Sequence, residues 1–259
     1  MIPKIIWIYW AQGWGQAPDL VKKCLSAWER MHPDWEIRAL TDKNIEHYID
    51  IERYIPGFSK KELSRATKSD ILRILLIYQY GGVWVDASSC PVKPLDDWLW
   101  GHMQSEFFAF SDAFRERAPE IHPKDRMVDA WFIASRNDNY IIHEWAKRTI
   151  SFWKERSYAH NERGPGLIKN KNGFEMGPEY FWFSYLFPEL YQTDDRFKRL
   201  WDATKKIHCD TISRQGPSLF VPYSDELLSS LTTGEVDSHK NMPVVKLTQK
   251  MPLLKYPII

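Results

Sequence analysis

Residues 69–89 read SDILRILLIYQYGGVWVDASS, and this stretch decides the fold. Apolar residues recur at helical spacing over Glu62–Tyr80, and Gly81 and Gly82 stand where a helix C-cap belongs. The short apolar run that follows has the β-branched and aromatic residues of a buried strand. It ends at Asp86. The stretch therefore predicts a helix that turns back into a strand, with a carboxylate where the strand stops.

Working outward, the chain alternates between strand and helix patterns. Lys4–Trp10 (KIIWIYW) predicts a first strand, Asp19–Met31 a helix, and residues 35–40 (WEIRAL) a second strand. This β-α-β order is typical of parallel strands joined by right-handed crossovers. The pattern thus predicts an α/β fold. Later segments predict further strands at 107–114 and 128–135, helices at 141–157 and 179–191, and a C-terminal tail, 239–259, packed across the sheet.

The composition excludes several classes of protein. The 259 residues include 35 Lys and Arg against 34 Asp and Glu, so no strong charge draws the chain to nucleic acid or to an anionic surface. Three separated cysteines without a C-x-x-C pair argue against a disulfide framework and a structural zinc site. Aromatic residues make up 15% of the chain, which tilts the prediction toward a carbohydrate or nucleotide ligand.

The organisation of the chain predicts a single domain over residues 1–259. The N-terminal MIPKIIWIYW is too short to span a bilayer and lacks a cleavage site for a leader peptide. We therefore expect a cytoplasmic protein without a transmembrane segment, able to associate peripherally with the inner face of the membrane. The glycine-rich stretch 159–178 has the length of a binding loop or lid.

Charged residues converge on one edge of the predicted sheet. Ligands of open α/β sheets sit outside the carboxyl ends of the strands, which is where Asp86 is placed. Asp70 and Arg73 lie three residues apart, so they share a face of the preceding helix. Such a pair is most often a surface ion pair, and a strand-end aspartate is most often a turn residue. Their occurrence together within twenty residues favours a ligand site.

The segment S-D-x-x-R, Y-G-G, apolar strand, D-A-S resembles the sugar-binding DXD region of glycosyltransferase family 32. The start, IPKIIWIYWAQGWGQAPDLVKKCLSAW, and GGVWVDASSCPV are similar to its bacterial capsular-polysaccharide-synthesis branch. The resemblance implies a GT-A-like fold with a mixed, mostly parallel sheet flanked by helices. It also implies a nucleotide-sugar-binding half over residues 1–100 and an acceptor-side half over 101–259. The activity implied is sugar transfer, with retention of configuration, from a UDP-sugar to a glycan or polysaccharide.

The same resemblance assigns roles to residues. Tyr9 and Trp10, at the end of the first strand, would contact the nucleotide, with Trp10 stacked on its base. Asp70 and Arg73 would bind hydroxyls of the donor sugar or ribose. Asp86 would lie by the ribose and the metal. Asp129, in VDAWFIAS, would contact the donor sugar or the acceptor, and with Asp70, Arg73 and Asp86 it completes the candidate catalytic set.

The implied metal is Mn²⁺ or Mg²⁺. The family pattern has a second carboxylate two residues after the first, and this chain has Ser88 there, a weaker ligand. We therefore expect Asp86 and Ser88 to hold the ion with diphosphate oxygens, waters and a residue of the C-terminal segment, for which His239 is the candidate.

Two other functions compete with this interpretation. A haloacid-dehalogenase-type phosphatase also places an aspartate at a strand end, but it expects a second acid at position 88 and a strand nearer the chain start. The missing second carboxylate also makes possible a non-catalytic protein that binds a nucleotide sugar or a glycan. Sugar transfer or slow donor hydrolysis separates that protein from an enzyme.

Overall fold

The computed structural model describes residues 1–61, 63–112, 127–154, 156, 168–169, 175–176, 182–209, 220–222 and 243–248. Its strands are β1 (Ile5–Tyr9), β2 (Glu36–Leu40), β3 (Gly82–Asp86), β4 (Ser89–Pro91), β5 (Phe107–Asp112), β6 (Val128–Ser135), β7 (Ile168–Lys169), β8 (Glu175–Met176), β9 (His208–Cys209), β10 (Phe220–Pro222) and β11 (Val244–Thr248). Its α-helices are α1 (Asp19–Met31), α2 (Ile51–Tyr54), α3 (Arg65–Tyr80), α4 (Tyr140–Lys154), α5 (Trp182–Thr193) and α6 (Asp195–Ala203). Short 3₁₀ helices lie at Trp14–Gln16, Ile45–His47, Phe58–Lys60, Leu95–Asp97 and Leu99–His102.

The main sheet of the described chain has six strands in the order β2-β1-β3-β6-β5-β9. β1 pairs in parallel with both β2 and β3, and β5 pairs in parallel with β9. β6 runs antiparallel to its neighbours β3 and β5. Because a single strand opposes the others, the sheet is mixed and mostly parallel, and helices pack on both of its faces. This confirms the predicted fold class.

Alternating residues of the central strands divide the core into two layers. Ile6 and Ile8 pack with α1 residues such as Trp28, whereas Trp7 and Trp84 pack with the apolar side of α3. Side chains on a strand point to opposite faces in turn, so a strand covered on both faces needs apolar residues at every position. This requirement accounts for the unbroken apolar runs of β1 and β3.

Helix α3 begins later than the sequence pattern predicts and ends where it predicts. Its N-cap is Ser64, whose side chain accepts a hydrogen bond from the Thr67 N–H at 3.0 Å, so the first helical residue is Arg65 and not Glu62. At the other end, Gly81 and Gly82 have φ of 71° and 95°. A Cβ on Gly82 would lie 2.6 Å from the backbone oxygen of Ile5. Glycine is therefore required for β3 to enter the sheet beside β1.

The C-terminal strand returns to the N-terminal part of the chain. β11 pairs antiparallel with β4 and parallel with β10, which gives a three-stranded sheet beside the main one. The tail thus packs on the strand that follows Asp86; its residues after 248 lie outside the described residues. Of the predicted loop 159–178, the structure describes only the short antiparallel pair β7 and β8.

Two further predictions concern membranes and disulfides. None of the described helices combines the length and the hydrophobicity needed to cross a membrane. Cys24 and Cys90 are both buried and free.

Candidate functional site

The candidate site lies where the parallel strands β2, β1 and β3 end. In the sheet register, Tyr9 is the partner of Leu40 on one side and of Asp86 on the other. The carboxyl ends of these strands therefore meet at one edge, which is the edge where open α/β sheets bind ligands. The GT-A-like fold class predicted from the sequence agrees with this arrangement of the described sheet.

Arg73 joins the two aspartates predicted for this edge. Its guanidinium contacts Asp70 Oδ1 at 3.0 Å through Nη1, and Nη2 donates to Asp86 Oδ1 at 2.9 Å. Arg73 is only 6% exposed, and its charged group lies 5.5 Å from the Trp84 ring centroid and 5.7 Å from that of Phe183. The surface ion pair considered from the sequence is therefore excluded. A buried guanidinium needs anionic partners, and it has two.

Lys246, on β11, is the site residue that the sequence analysis missed. Its Nζ donates to Asp86 Oδ2 at 2.6 Å. The opposite oxygen of the same carboxylate accepts from Arg73 and, at 3.0 Å, from the Trp84 indole N–H. The sequence does contain a signal, because Lys246 is the one charged residue in the otherwise strand-like run VVKLT. The partner of that charge lies 160 residues away and cannot be read from local spacing.

The two aspartates respond to this environment in opposite ways. Burial alone would raise the pKa of Asp86, but the charges of Arg73 and Lys246 and the hydrogen bonds from Lys246 and Trp84 hold its pKa below the ordinary value. Burial raises the pKa of Asp70 to about 7, because the single contact with Arg73 is opposed by the negative charge of Asp86. Asp86 is thus the permanent anion of the group, and Asp70 is easily protonated.

A third carboxylate, Asp42, lies just beyond the end of β2. Its Oδ1 accepts from the Tyr9 hydroxyl at 2.6 Å and from Lys68 Nζ at 2.7 Å. Burial is the main cause of a raised pKa at Tyr9, and the hydrogen bond to Asp42 raises this pKa further. Tyr9 is buried, as a residue that ends a core strand should be, and its hydroxyl reaches the ligand edge. The predicted nucleotide contact of Tyr9 stays a prediction.

The remaining predicted residues occupy different positions. Trp10 is half-buried at the start of the loop after β1, and its indole N–H finds no acceptor among the described residues. Ser88 is half-buried in the turn between β3 and β4, and its backbone oxygen accepts from the Leu247 N–H at 2.9 Å. Asp129 is buried on β6 and is the register partner of Phe110, next to a β-bulge in the β5–β6 pairing. His239 lies outside the described residues. The roles predicted for these four residues stay predictions.

The donor set at Asp86 does not fit the divalent metal that the sequence predicts. Both carboxylate oxygens already accept hydrogen bonds, and two of the donors carry a full positive charge. Mg²⁺ and Mn²⁺ need several oxygen ligands, and a cation placed here would be repelled by Lys246 and Arg73. Within the described ranges, no three His, Cys, Asp or Glu side chains are grouped so that they could hold a metal ion. Asp86 is therefore paired with two cations and is not part of a cage of carboxylates.

Comparison with known proteins identifies the family. Residues 1–161 match the family model described as "Capsular polysaccharide synthesis protein", which covers more than half of the chain. The chain therefore belongs to the capsular polysaccharide synthesis protein family, as the resemblance to the bacterial branch implied. The matched residues include β1, α3 and β3, which carry most of the site.

Individual relatives are more distant. The chain is 25% identical over 160 residues to the O-glycosyltransferase braB of Annulohypoxylon truncatum, covering 58% of this chain and 38% of that one. It is 26% identical over 172 residues to the O-glycosyltransferase PaGT of Phomopsis amygdali, with coverages of 60% and 40%. The match thus spans about two fifths of the length of these relatives. A solved structure, the PaToxG glycosyltransferase, aligns over 94% of this chain and 89% of its own, at 16% identity and a TM-score of 0.43.

Proposed function

We propose that this chain is a glycosyltransferase that moves a sugar from a nucleotide diphosphate donor, with uridine as the expected base, to a glycan or polysaccharide acceptor. The observation that carries the proposal is the pairing of the buried Arg73 with the half-buried Asp70 and Asp86 at the carboxyl edge of the parallel strands. Family membership supports a role in polysaccharide synthesis, and the printed activities of the two fungal relatives support glycosyl transfer. A cytoplasmic location at the inner face of the membrane belongs to the same proposal.

The chemistry assigned to the site needs no protein nucleophile. The acceptor oxygen forms a bond to the anomeric carbon while the bond from that carbon to the diphosphate breaks, and the electron pair leaves on the diphosphate. In a retaining transfer the acceptor approaches the face from which the nucleotide departs, so its proton can pass to a leaving phosphate oxygen. The cationic guanidinium of Arg73 offsets the charge that grows on the leaving group.

The other side chains bind and orient the donor in this proposal. Trp10 stacks on the base, and Tyr9 lies beside it at the end of β1. Asp70, which is half-buried and has one oxygen on Arg73, offers its other oxygen to hydroxyls of the donor sugar or ribose. Asp86 fixes the position of Arg73. Asp129 is assigned to the donor sugar or the acceptor because β6 is the next strand of the sheet after β3.

The experiment that tests the proposal is a donor panel. Purified protein is incubated with nucleotide sugars of different bases and sugars, and release of the nucleoside diphosphate is measured with and without oligosaccharide acceptors. Release with at least one donor, lost in Asp86→Ala, is the expected result. Thermal stabilisation by nucleotides without transfer or hydrolysis would instead favour the non-catalytic binding protein. The absence of both thermal stabilisation and nucleoside diphosphate release with every donor of the panel would overturn the proposal.

A further inference from the structure

Lys246 is held in place by backbone contacts on both sides of it. It is the register partner of Ser89, and the Leu247 N–H donates to the Ser88 oxygen at 2.9 Å. At the start of β11, the Pro243 oxygen accepts from Val92 and from Lys93. The position of the Lys246 ammonium beside Asp86 is therefore set by a strand pairing and not only by a flexible side chain.

Burying the Lys246 ammonium costs desolvation free energy, which an anionic partner has to offset. Val244, Val245 and Leu247 are fully buried, and the Lys246 side chain is 16% exposed. Lysine is seldom buried to this degree, because its charge must be desolvated and then paired. Arg73 and Trp84 both donate to Asp86 Oδ1, and Lys246 donates to Oδ2, so the pairing with Lys246 adds a second cation to one carboxylate.

The resulting charge balance favours an anionic ligand. Arg73 and Lys246 contribute two positive charges against Asp86 and the readily protonated Asp70. A diphosphate carries several negative oxygens and binds strongly to arginine and lysine donors. These two donors contact different oxygens of Asp86, one from helix α3 and one from β11. Together they form an anion-binding pair at the point where the sequence predicts a metal.

We propose that Lys246, with Arg73, binds the diphosphate of the donor in place of a divalent cation, so that nucleotide binding by this chain does not require a metal ion. The inference rests on the proposed function, because it names how the same site holds the donor. Asp86 then acts as the positioning residue that keeps both cations at the sheet edge. The leaving group is stabilised by two fixed side-chain charges.

The test is a titration of the full chain with uridine, guanosine, adenosine and cytidine diphosphates and with pyrophosphate, in excess chelator and again with Mn²⁺ or Mg²⁺. The expected result is binding of at least one probe in chelator, with an affinity that changes less than about threefold on adding metal. Lys246→Met should weaken that binding roughly tenfold or more, because a charge-assisted contact is lost. Lys246→Arg, which keeps the charge, should restore most of it.

Lys147→Met is the matched control. Lys147 also has a carboxylate partner, Glu144 at 3.2 Å, but it lies exposed on α4, and its replacement should leave binding unchanged. If the circular dichroism spectrum of Lys246→Met differs from wild type, the comparison is made between wild type and Lys246→Arg in chelator and in metal. Binding only when metal is present would overturn the inference and leave the proposed function standing. If no probe binds, either in chelator or with metal, both this inference and the proposed function are overturned.

Discussion

The edge of the sheet carries two carboxylates that look alike in sequence and differ in structure. Asp86 ends β3 and Asp42 follows β2, and each is paired with a cation from helix α3 and with an aromatic donor. The Asp42 side chain is 48% exposed, whereas that of Asp86 is 24% exposed and has a second cation, Lys246. Water screens the first pair and is largely excluded from the second. The comparison shows that burial, more than residue type, distinguishes the surroundings of these two strand-end charges.

The largest effect is expected from removing each carboxylate in turn. Asp86→Ala leaves Arg73 and Lys246 without their shared anion and should lower the free energy of unfolding by about 3 kcal/mol. Asp42→Ala removes an exposed pair and should cost less than about 1 kcal/mol. Urea denaturation of both variants measures the difference. Equal losses of unfolding free energy would mean that burial does not distinguish the cluster around Asp86 from the exposed cluster around Asp42.

The next effect concerns the geometry of the cations. Arg73 contacts Asp70 and Asp86 with different nitrogens, and a single ammonium cannot reproduce this fork. Arg73→Lys should therefore reduce sugar transfer roughly tenfold or more, since a charge-assisted contact is lost. Lys68→Arg, the equivalent exchange at the exposed cluster, should leave transfer within about twofold of wild type, as expected for a surface pair. Retention of full activity by Arg73→Lys would contradict the role given to the guanidinium.

Trp10 tests whether the loop after β1 holds the base. Stacking of a base on an aromatic ring is worth ~1–3 kcal/mol, so Trp10→Ala should weaken binding of uridine diphosphate roughly tenfold. Trp100 is the matched control. It lines a small cavity with Met1 and Ile2, before the start of β1 and so at the opposite edge from Asp86. Calorimetric titration of both variants is the measurement, and equal affinities would remove the stacking assignment.

The smallest expected effect is a change in pH dependence. Because the pKa of Asp70 is raised to about 7 in the folded chain, folding favours its protonated form. This contribution to stability is complete below the ordinary aspartate pKa and is lost as the pH rises through 7. The melting temperature of wild type should therefore fall by a few degrees more between pH 5 and 8 than that of Asp70→Asn. If the melting temperatures of the two proteins change in parallel with pH, burial of Asp70 does not make stability depend on pH.

Local pattern was enough to predict most of the fold. The apolar run of β1, the amphipathic α1 and the Gly-Gly turn after α3 are each specified by residues close together in the chain. The start of α3 was predicted three residues early, because the hydrophobic spacing extends past Ser64 and the cap decides where the hydrogen bonds begin. The bulge in β6 before Ile133 has no comparable local signal.

The candidate site was predictable only where its residues belong to one segment. Asp70, Arg73 and Asp86 lie within seventeen residues, so helix and strand periodicity bring them together. The sequence also led us to expect a residue of the C-terminal segment beside Asp86. It favoured His239 as a metal ligand, and that residue lies outside the described ones. The described C-terminal residue beside Asp86 is Lys246, whose Nζ donates to the carboxylate. Long-range strand pairing is invisible to spacing arguments, and this one decides the charge of the site.

The pairing of β11 with β4 also fixes the order in which the site can be completed. Ribosomes add about 5–20 residues per second, so the 160 positions between Asp86 and Lys246 take about 8–30 seconds to synthesise. During that interval Asp86 can already meet Arg73, while the edge of β4 that β11 covers has no β11 to pair with. An uncovered strand edge is a template for pairing with other chains. The nascent chain therefore carries residues 1–100 for many seconds with one cation missing beside Asp86 and one edge of β4 unpaired.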